Sequence, residues 1–187
     1  MTDPNLVINA LGDILGQYKA AFTDKVYHDE NNDTDLLMEV FGITPDLKRE
    51  NRQYWGRELG MCWQRLIVEL FRQTHDDFGP ALRFGADEPC DLVVGKYAID
   101  TKYRIGSGDS GTLKKFKAYA PLLQENGYEP VLLIVREDNL PAAITACTTG
   151  GWTVLTGEAT YSFVQELSGF DIKNFLQTKA LEYKVVR

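Results

Sequence analysis

The stretch Asp91-Leu-Val-Val94, Gly95-Lys96, Tyr97-Ala-Ile-Asp-Thr-Lys-Tyr103 decides the fold. Two short runs rich in Val, Ile and Tyr flank a pair of residues that begins with Gly, the pattern of a β-hairpin closed by a two-residue turn. A turn at Gly95-Lys96 sets Val94 opposite Tyr97, Val93 opposite Ala98, Leu92 opposite Ile99 and Asp91 opposite Asp100. Side chains alternate along a strand, so Leu92, Val94, Tyr97, Ile99 and Tyr103 are expected on a core-facing side. Asp91, Asp100 and Lys102 are expected on the other.

Outward from the hairpin the periodicity changes. Upstream, apolar Leu6, Ala10, Ile14 and Tyr18 recur at helical spacing and predict an amphipathic helix over 5–22. An acidic segment over 23–44 follows, with a short helical turn at 36–41. Thr44-Pro45 opens a second helix, Thr as N-cap and Pro in the first turn. It is expected to run on to Thr74, with Gly56 and Gly60 as weak points and Trp63, Leu66, Ile67, Leu70 and Phe71 as its apolar stripe. Downstream, a glycine-rich loop from Gly106 to Gly111 leads into a helix over 112–125. A buried strand over 130–135, a helix over 142–147, a strand over 152–155 and helices over 159–167 and 171–182 complete the chain. The order predicts an α/β fold, a mixed β-sheet flanked by helices. A length of 187 residues argues for a single domain. It divides into an N-terminal helical and acidic extension (1–44), a core (45–155) and C-terminal helices (156–187).

Composition narrows the chemistry. The chain is 44% hydrophobic and 25% charged, ordinary for a globular protein. Three cysteines without a CxxC pair argue against a disulfide framework or a cysteine-rich zinc site, and for a reducing cytoplasm. Two histidines, His28 and His75, exclude a three-histidine metal site within one chain. The first ten residues lack the basic-then-apolar order of a signal peptide, and no apolar run is long enough to span a membrane. The net charge of −7 is unevenly spread. From Asp24 to Asp46 seven acids face one base, whereas from Lys96 to Lys117 six bases face two acids. The basic stretch begins at the hairpin turn and takes in its second arm.

Opposed carboxylates on a sheet bring their Cβ atoms to about 4.5–5.5 Å and repel each other. Asp91 and Asp100 therefore call for a shared proton or a cation. Two carboxylates with the Thr101 carbonyl suit Mg²⁺, which prefers oxygen ligands and keeps several waters. Lys102, two residues along the same side, would hold or deprotonate a water beside a metal-bound phosphate. The competing explanation is a solvated sheet face carrying an ordinary ion pair. An acid, any residue, then Lys occurs four times, ending at Lys48, Lys102, Lys173 and Lys184. Only the second lies on a predicted strand opposite another acid.

Pro89-Cys90-Asp91, eight residues, then Asp100-Thr101-Lys102 resembles the signature of the PD-(D/E)xK nuclease superfamily, with Cys90 inserted between the usual Pro and Asp. The order of elements over 45–155 is similar to that superfamily's core, and the stretch from Tyr97 to Phe175 resembles type II restriction endonucleases of the ApaLI-like group. The resemblance implies a restriction-endonuclease-like core in which Asp91 and Asp100 bind Mg²⁺ and Lys102 serves the attacking water. Mn²⁺ is expected to substitute for Mg²⁺, and Ca²⁺ to support binding without cleavage. It further implies sequence-specific cleavage of double-stranded DNA to 5′-phosphates, a homodimer on a short palindrome and a prokaryotic host, with neither membrane nor nucleotide cofactor. A further acid often comes from the preceding helix. Glu58 is the first choice here, with Gln64 and Glu69 as alternatives. A structure-selective repair nuclease or resolvase on the same core, or a non-catalytic DNA-binding protein, are the competing functions.

Gly106-Ser-Gly108-Asp-Ser-Gly111 is literally GxGxxG between a strand and a helix, the position of a dinucleotide-binding loop. The strand before it carries Asp100, Lys102 and Arg104, unlike the apolar first strand of such a unit, and the helix after it begins Thr-Leu-Lys-Lys-Phe-Lys. A phosphodiester backbone fits better. Arg104, Ser107, Ser110, Thr112, Lys114, Lys115 and Lys117 are the expected DNA contacts, with Leu113, Phe116, Ala120 and Leu123 as the buried stripe of the helix. Helix N–H groups near Thr112 add a phosphate-binding end.

Overall fold

The computed structural model describes residues 30–106 and 110–186, together with Gly16, Gln17 and Lys19. The helix expected over 5–22 lies outside the described residues except for those three, which are helical and exposed. Among the described residues five strands form one sheet in chain order: β1 (Phe78–Pro80), β2 (Leu92–Val94), β3 (Tyr97–Lys102), β4 (Glu129–Ile134) and β5 (Thr153–Thr156). The first three pair antiparallel and the last two join in parallel, so the sheet is mixed. The hairpin turns at Gly95-Lys96 with Val94 opposite Tyr97, Val93 opposite Ala98 and Leu92 opposite Ile99, as the alternation requires. Gly95 takes a positive φ of 53°, a conformation that costs glycine least. Strand β1 goes unnoticed in the sequence because it is three residues long and contains Gly79 and Pro80.

Helices cover both faces. On one side lie α1 (Leu36–Phe41), α3 (Arg52–Thr74), α6 (Glu158–Ser168) and α7 (Ile172–Thr178), packed on Leu92, Val94, Ile99, Val131 and Leu133. On the other lie α4 (Ser110–Glu125) and α5 (Pro141–Gly150), packed on Val93, Ala98, Leu132 and Ile134. Strand β4 is buried on both faces, as an interior parallel strand must be. The helix expected from Pro45 to Thr74 is two helices. The short α2 (Pro45–Glu50) ends at Asn51, whose side chain accepts the Tyr54 amide at 3.0 Å and caps α3. Gly56 and Gly60 lie inside α3 and do not break it. Among the described residues no helix is long and apolar enough to cross a membrane.

Candidate active site

The hairpin brings Asp91, Asp100, Thr101 and Lys102 together, but not in the arrangement expected. The Asp91 amide donates to the Ile99 carbonyl at 2.8 Å, although Ile99 already pairs with Leu92. Two residues of the first arm thus oppose one of the second, which is a β-bulge, a device that re-aims a side chain. The Asp91 carboxylate turns away from a face-to-face position against Asp100 and onto Thr101. Its Oδ2 accepts the Thr101 amide at 2.8 Å and the Thr101 hydroxyl at 2.6 Å. Its Oδ1 accepts the Gln64 side-chain amide at 2.6 Å.

Asp100 and Lys102 point to the other side of β3, toward the layer of α4 and α5. The Lys102 ammonium lies 2.6 Å from Asp100 Oδ2 and also donates to the Thr101 carbonyl at 3.1 Å. Burial pushes the Asp100 carboxyl up to about 6; the Asp91 charge adds to this and Lys102 opposes it. Burial works against the Lys102 charge, but Asp100 and Asp91 outweigh it and hold the ammonium above its usual value. Lys102 is therefore suited to donate a hydrogen bond rather than to take a proton. Cys90 and Cys147 are buried beside this pair; burial pushes both thiols up to about 11, with Asp100 adding to the effect. They remain thiols.

The Asp91 charge disfavours ionised Asp100, a repulsion that a hard cation with oxygen ligands, such as Mg²⁺, would relieve. The Thr101 carbonyl, expected as a third oxygen, is engaged by Lys102. Among the described residues no group of three or more His, Cys, Asp or Glu side chains is placed to hold a metal ion. Glu58 is not brought to the site. It is exposed and pairs with its neighbour Arg57 at 3.0 Å. Glu69 is likewise exposed, bound to Arg72 and Gln73. Gln64, the remaining alternative, is the residue of α3 that reaches Asp91.

The expected DNA contacts divide. Lys114, Lys115 and Lys117 are exposed on α4, opposite buried Phe116, Ala120 and Leu123, and Thr112 is half-buried. Ser110 begins α4, and Ser107 lies outside the described residues. Arg104 is turned inward: its Nε donates to the Asp138 carbonyl at 2.9 Å and carboxylate at 3.1 Å. His75 caps the end of α3 and its ring reaches the Leu167 carbonyl at 2.9 Å, while Cys62 is half-buried.

Next to the site lies a charged network that periodicity and motif spacing do not anticipate. Glu30, Asp35 and Asp138 meet Lys48, Arg104 and Arg136 in a set of ion pairs. Arg136, its side chain only 3% exposed, spans Asp35 at 3.0 Å, Asp138 at 2.7 Å and the Asp33 carbonyl at 2.9 Å. Lys48 donates to the Tyr103 hydroxyl at 2.6 Å, and its ammonium stands 4.5 Å from the centre of that ring. Part of the acidic segment is therefore internal and neutralised. Its signal in the sequence is Arg136-Glu-Asp138, placed directly after the apolar strand over 130–135.

Comparison with family models, with curated proteins and with solved structures finds no match to this chain.

Proposed function

We propose that this chain is a Mg²⁺-dependent endonuclease of the PD-(D/E)xK type that cuts double-stranded DNA at a short palindrome as a homodimer, leaving 5′-phosphates. The observation that carries the reading is the Asp91 carboxylate seated on Thr101 beside the Asp100–Lys102 pair. The Asp91 charge acts on both Asp100 and Lys102 at one end of the hairpin, although like charges there oppose folding. Three antiparallel strands preceded by a helix and followed by helix and parallel strand agree with the core that the sequence resemblance implies. In this reading Asp91 and Asp100 hold the cation, and Lys102 donates to the attacking water or to a phosphate oxygen. The bound cation would supply charge stabilisation at the phosphate and a water of lowered pKa. The exposed lysines of α4 would follow the DNA backbone.

Incubation of the protein with long mixed-sequence DNA and Mg²⁺ tests the proposal. Discrete fragments, lost with Asp91→Asn and with Lys102→Ala, are the expected result. A smear would indicate a non-specific nuclease. A purified Asp91→Asn protein that cuts at the wild-type rate would sink the assignment. The competing reading, a non-catalytic DNA-binding protein, draws on the closed Asp100–Lys102 ion pair at 2.6 Å. It requires DNA that is bound but never cut.

A further inference from the structure

We propose that the Thr101 hydroxyl and the Gln64 amide are positioning groups that set the Asp91 carboxylate for cation binding; the assignment rests on the nuclease reading above. A regular ladder continued past Leu92 would offer the Thr101 amide a backbone carbonyl of the first arm. The bulge at Asp91 ends that ladder, and a side-chain oxygen takes the carbonyl's place at 2.8 Å. The Thr101 hydroxyl adds a second donor to the same oxygen at 2.6 Å. Gln64 donates to the other oxygen from the opposite wall, 27 positions away in the chain. The carboxylate is thus gripped from strand and helix together, and its plane is fixed.

The pattern of donors also decides which oxygen remains open to a cation. A carboxylate oxygen has about two lone-pair sites. Oδ2 accepts from both the amide and the hydroxyl of Thr101, whereas among the described residues Oδ1 accepts from Gln64 alone. Oδ1 is therefore the oxygen of Asp91 with a site still open toward a cation. Thr101 acts through its hydroxyl and amide rather than through its carbonyl, which Lys102 occupies at 3.1 Å. Partners of this kind orient a metal ligand and typically change metal affinity 10–100-fold when removed.

Calorimetric titration of the full-length protein with Ca²⁺ in the absence of DNA gives the readout, accompanied by the Mg²⁺ concentration for half-maximal cleavage. Thr101→Val keeps the shape of the side chain and deletes the donor. It should weaken Ca²⁺ binding about tenfold or more and raise the Mg²⁺ requirement, while Thr101→Ser restores both. Gln64→Ala should weaken Ca²⁺ binding in the same direction, and it stands as the independent test if Thr101→Val does not fold. Wild-type affinity in Thr101→Val, or a Thr101→Ser protein as deficient as Thr101→Val, would overturn the role given to Thr101. A wild-type chain that binds no divalent cation and cuts no DNA would instead overturn the nuclease reading, and this assignment with it.

Discussion

Tyr103 donates its phenolic hydrogen bond to the Asp35 carboxylate, joining the residue after Lys102 to a segment 68 positions earlier in the chain. Asp35 has two further duties: it caps α1 by accepting the Leu37 and Met38 amides at 3.1 Å each, and it pairs with Arg136 at 3.0 Å. One carboxylate therefore fixes the start of a helix, the end of the central strand and the exit of β4. Buried ion pairs of this kind contribute little against an apolar replacement, but losing one member leaves the others uncompensated.

Arg136 is the member whose loss should cost most. Its guanidinium contacts Asp35, Asp138, Asn31 and the Asp33 carbonyl, with the side chain 3% exposed. Arg136→Gln removes the cation shared by Glu30, Asp35 and Asp138 and should destabilise the fold by roughly 3–5 kcal/mol. Chemical denaturation measures this directly. A loss below about 1 kcal/mol, the range of exposed pairs, would mean that water replaces the arginine without penalty.

Acid should act through Asp138. Burial works against its carboxylate charge, but the hydrogen bonds from Arg136 and the Asn31 amide, with the charges of Arg136 and Arg104, prevail and hold it below the usual carboxylate range. A depressed folded-state pKa stabilises the protein above the unfolded value of about 3.9, and that contribution is lost as pH falls through the folded value. Asp138→Asn should be less stable than wild type at pH 7 and should lose less further stability between neutral pH and about pH 3. Parallel stability curves for the two proteins across that range would remove Asp138 from the acid transition.

The hairpin register is legible in the sequence because Gly95-Lys96 and strict alternation leave one pairing that keeps Leu92, Val94 and Ile99 together. The position of the Asp91 carboxylate is not, because a β-bulge depends on which backbone groups find partners in three dimensions. Periodicity cannot express that choice. The same limit explains Asn51. Propensity reads 45–74 as continuous, whereas a side-chain oxygen competing for the Tyr54 amide restarts the helix. Arg104 shows a third limit. An arginine beside a motif looks ready for phosphate until the fold brings Asp138 against it.

Gly150 of α5 lies against the backbone of α4. A Cβ there would lie 2.9 Å from both the Lys117 Cα and the Phe116 carbonyl oxygen, and that oxygen already accepts the Trp152 indole at 2.8 Å. Backbone cannot yield as a flexible side chain would, so Gly150→Ala should cost about 1–3 kcal/mol. Gly56, inside α3 with no described neighbour within 4 Å of a Cβ, supplies the contrast. Gly56→Ala should stabilise by up to about 1 kcal/mol through helix propensity. Thermal melts of the two variants should move in opposite directions, and a neutral Gly150→Ala would show that the helices can separate freely.

The basic residues near the hairpin should separate into two classes when DNA binding is measured across a salt series. Lys114 and Lys117 are exposed on α4 and make no ion pair among the described residues; Lys115 lies 3.9 Å from Asp87 and shares its charge. If these lysines touch phosphates, removing one of them should flatten the dependence of log affinity on log salt by about one unit. Lys114→Gln with Lys117→Gln should therefore reduce the slope by about two, and Lys115→Gln should reduce it less. Preference among DNA sequences should be unchanged, since phosphate contacts position a protein without reading bases. Arg104→Gln should behave differently. Its guanidinium is bound to Asp138 with the side chain 12% exposed, so its loss should lower stability and leave the salt slope alone. Fluorescence anisotropy with a labelled duplex, in Ca²⁺ to hold cleavage off, gives the slopes of the wild type and the three variants. An unaltered slope in the double lysine variant would assign the α4 lysines to solvent, and a flattened slope in Arg104→Gln would mean that the Asp138 pair opens to meet DNA.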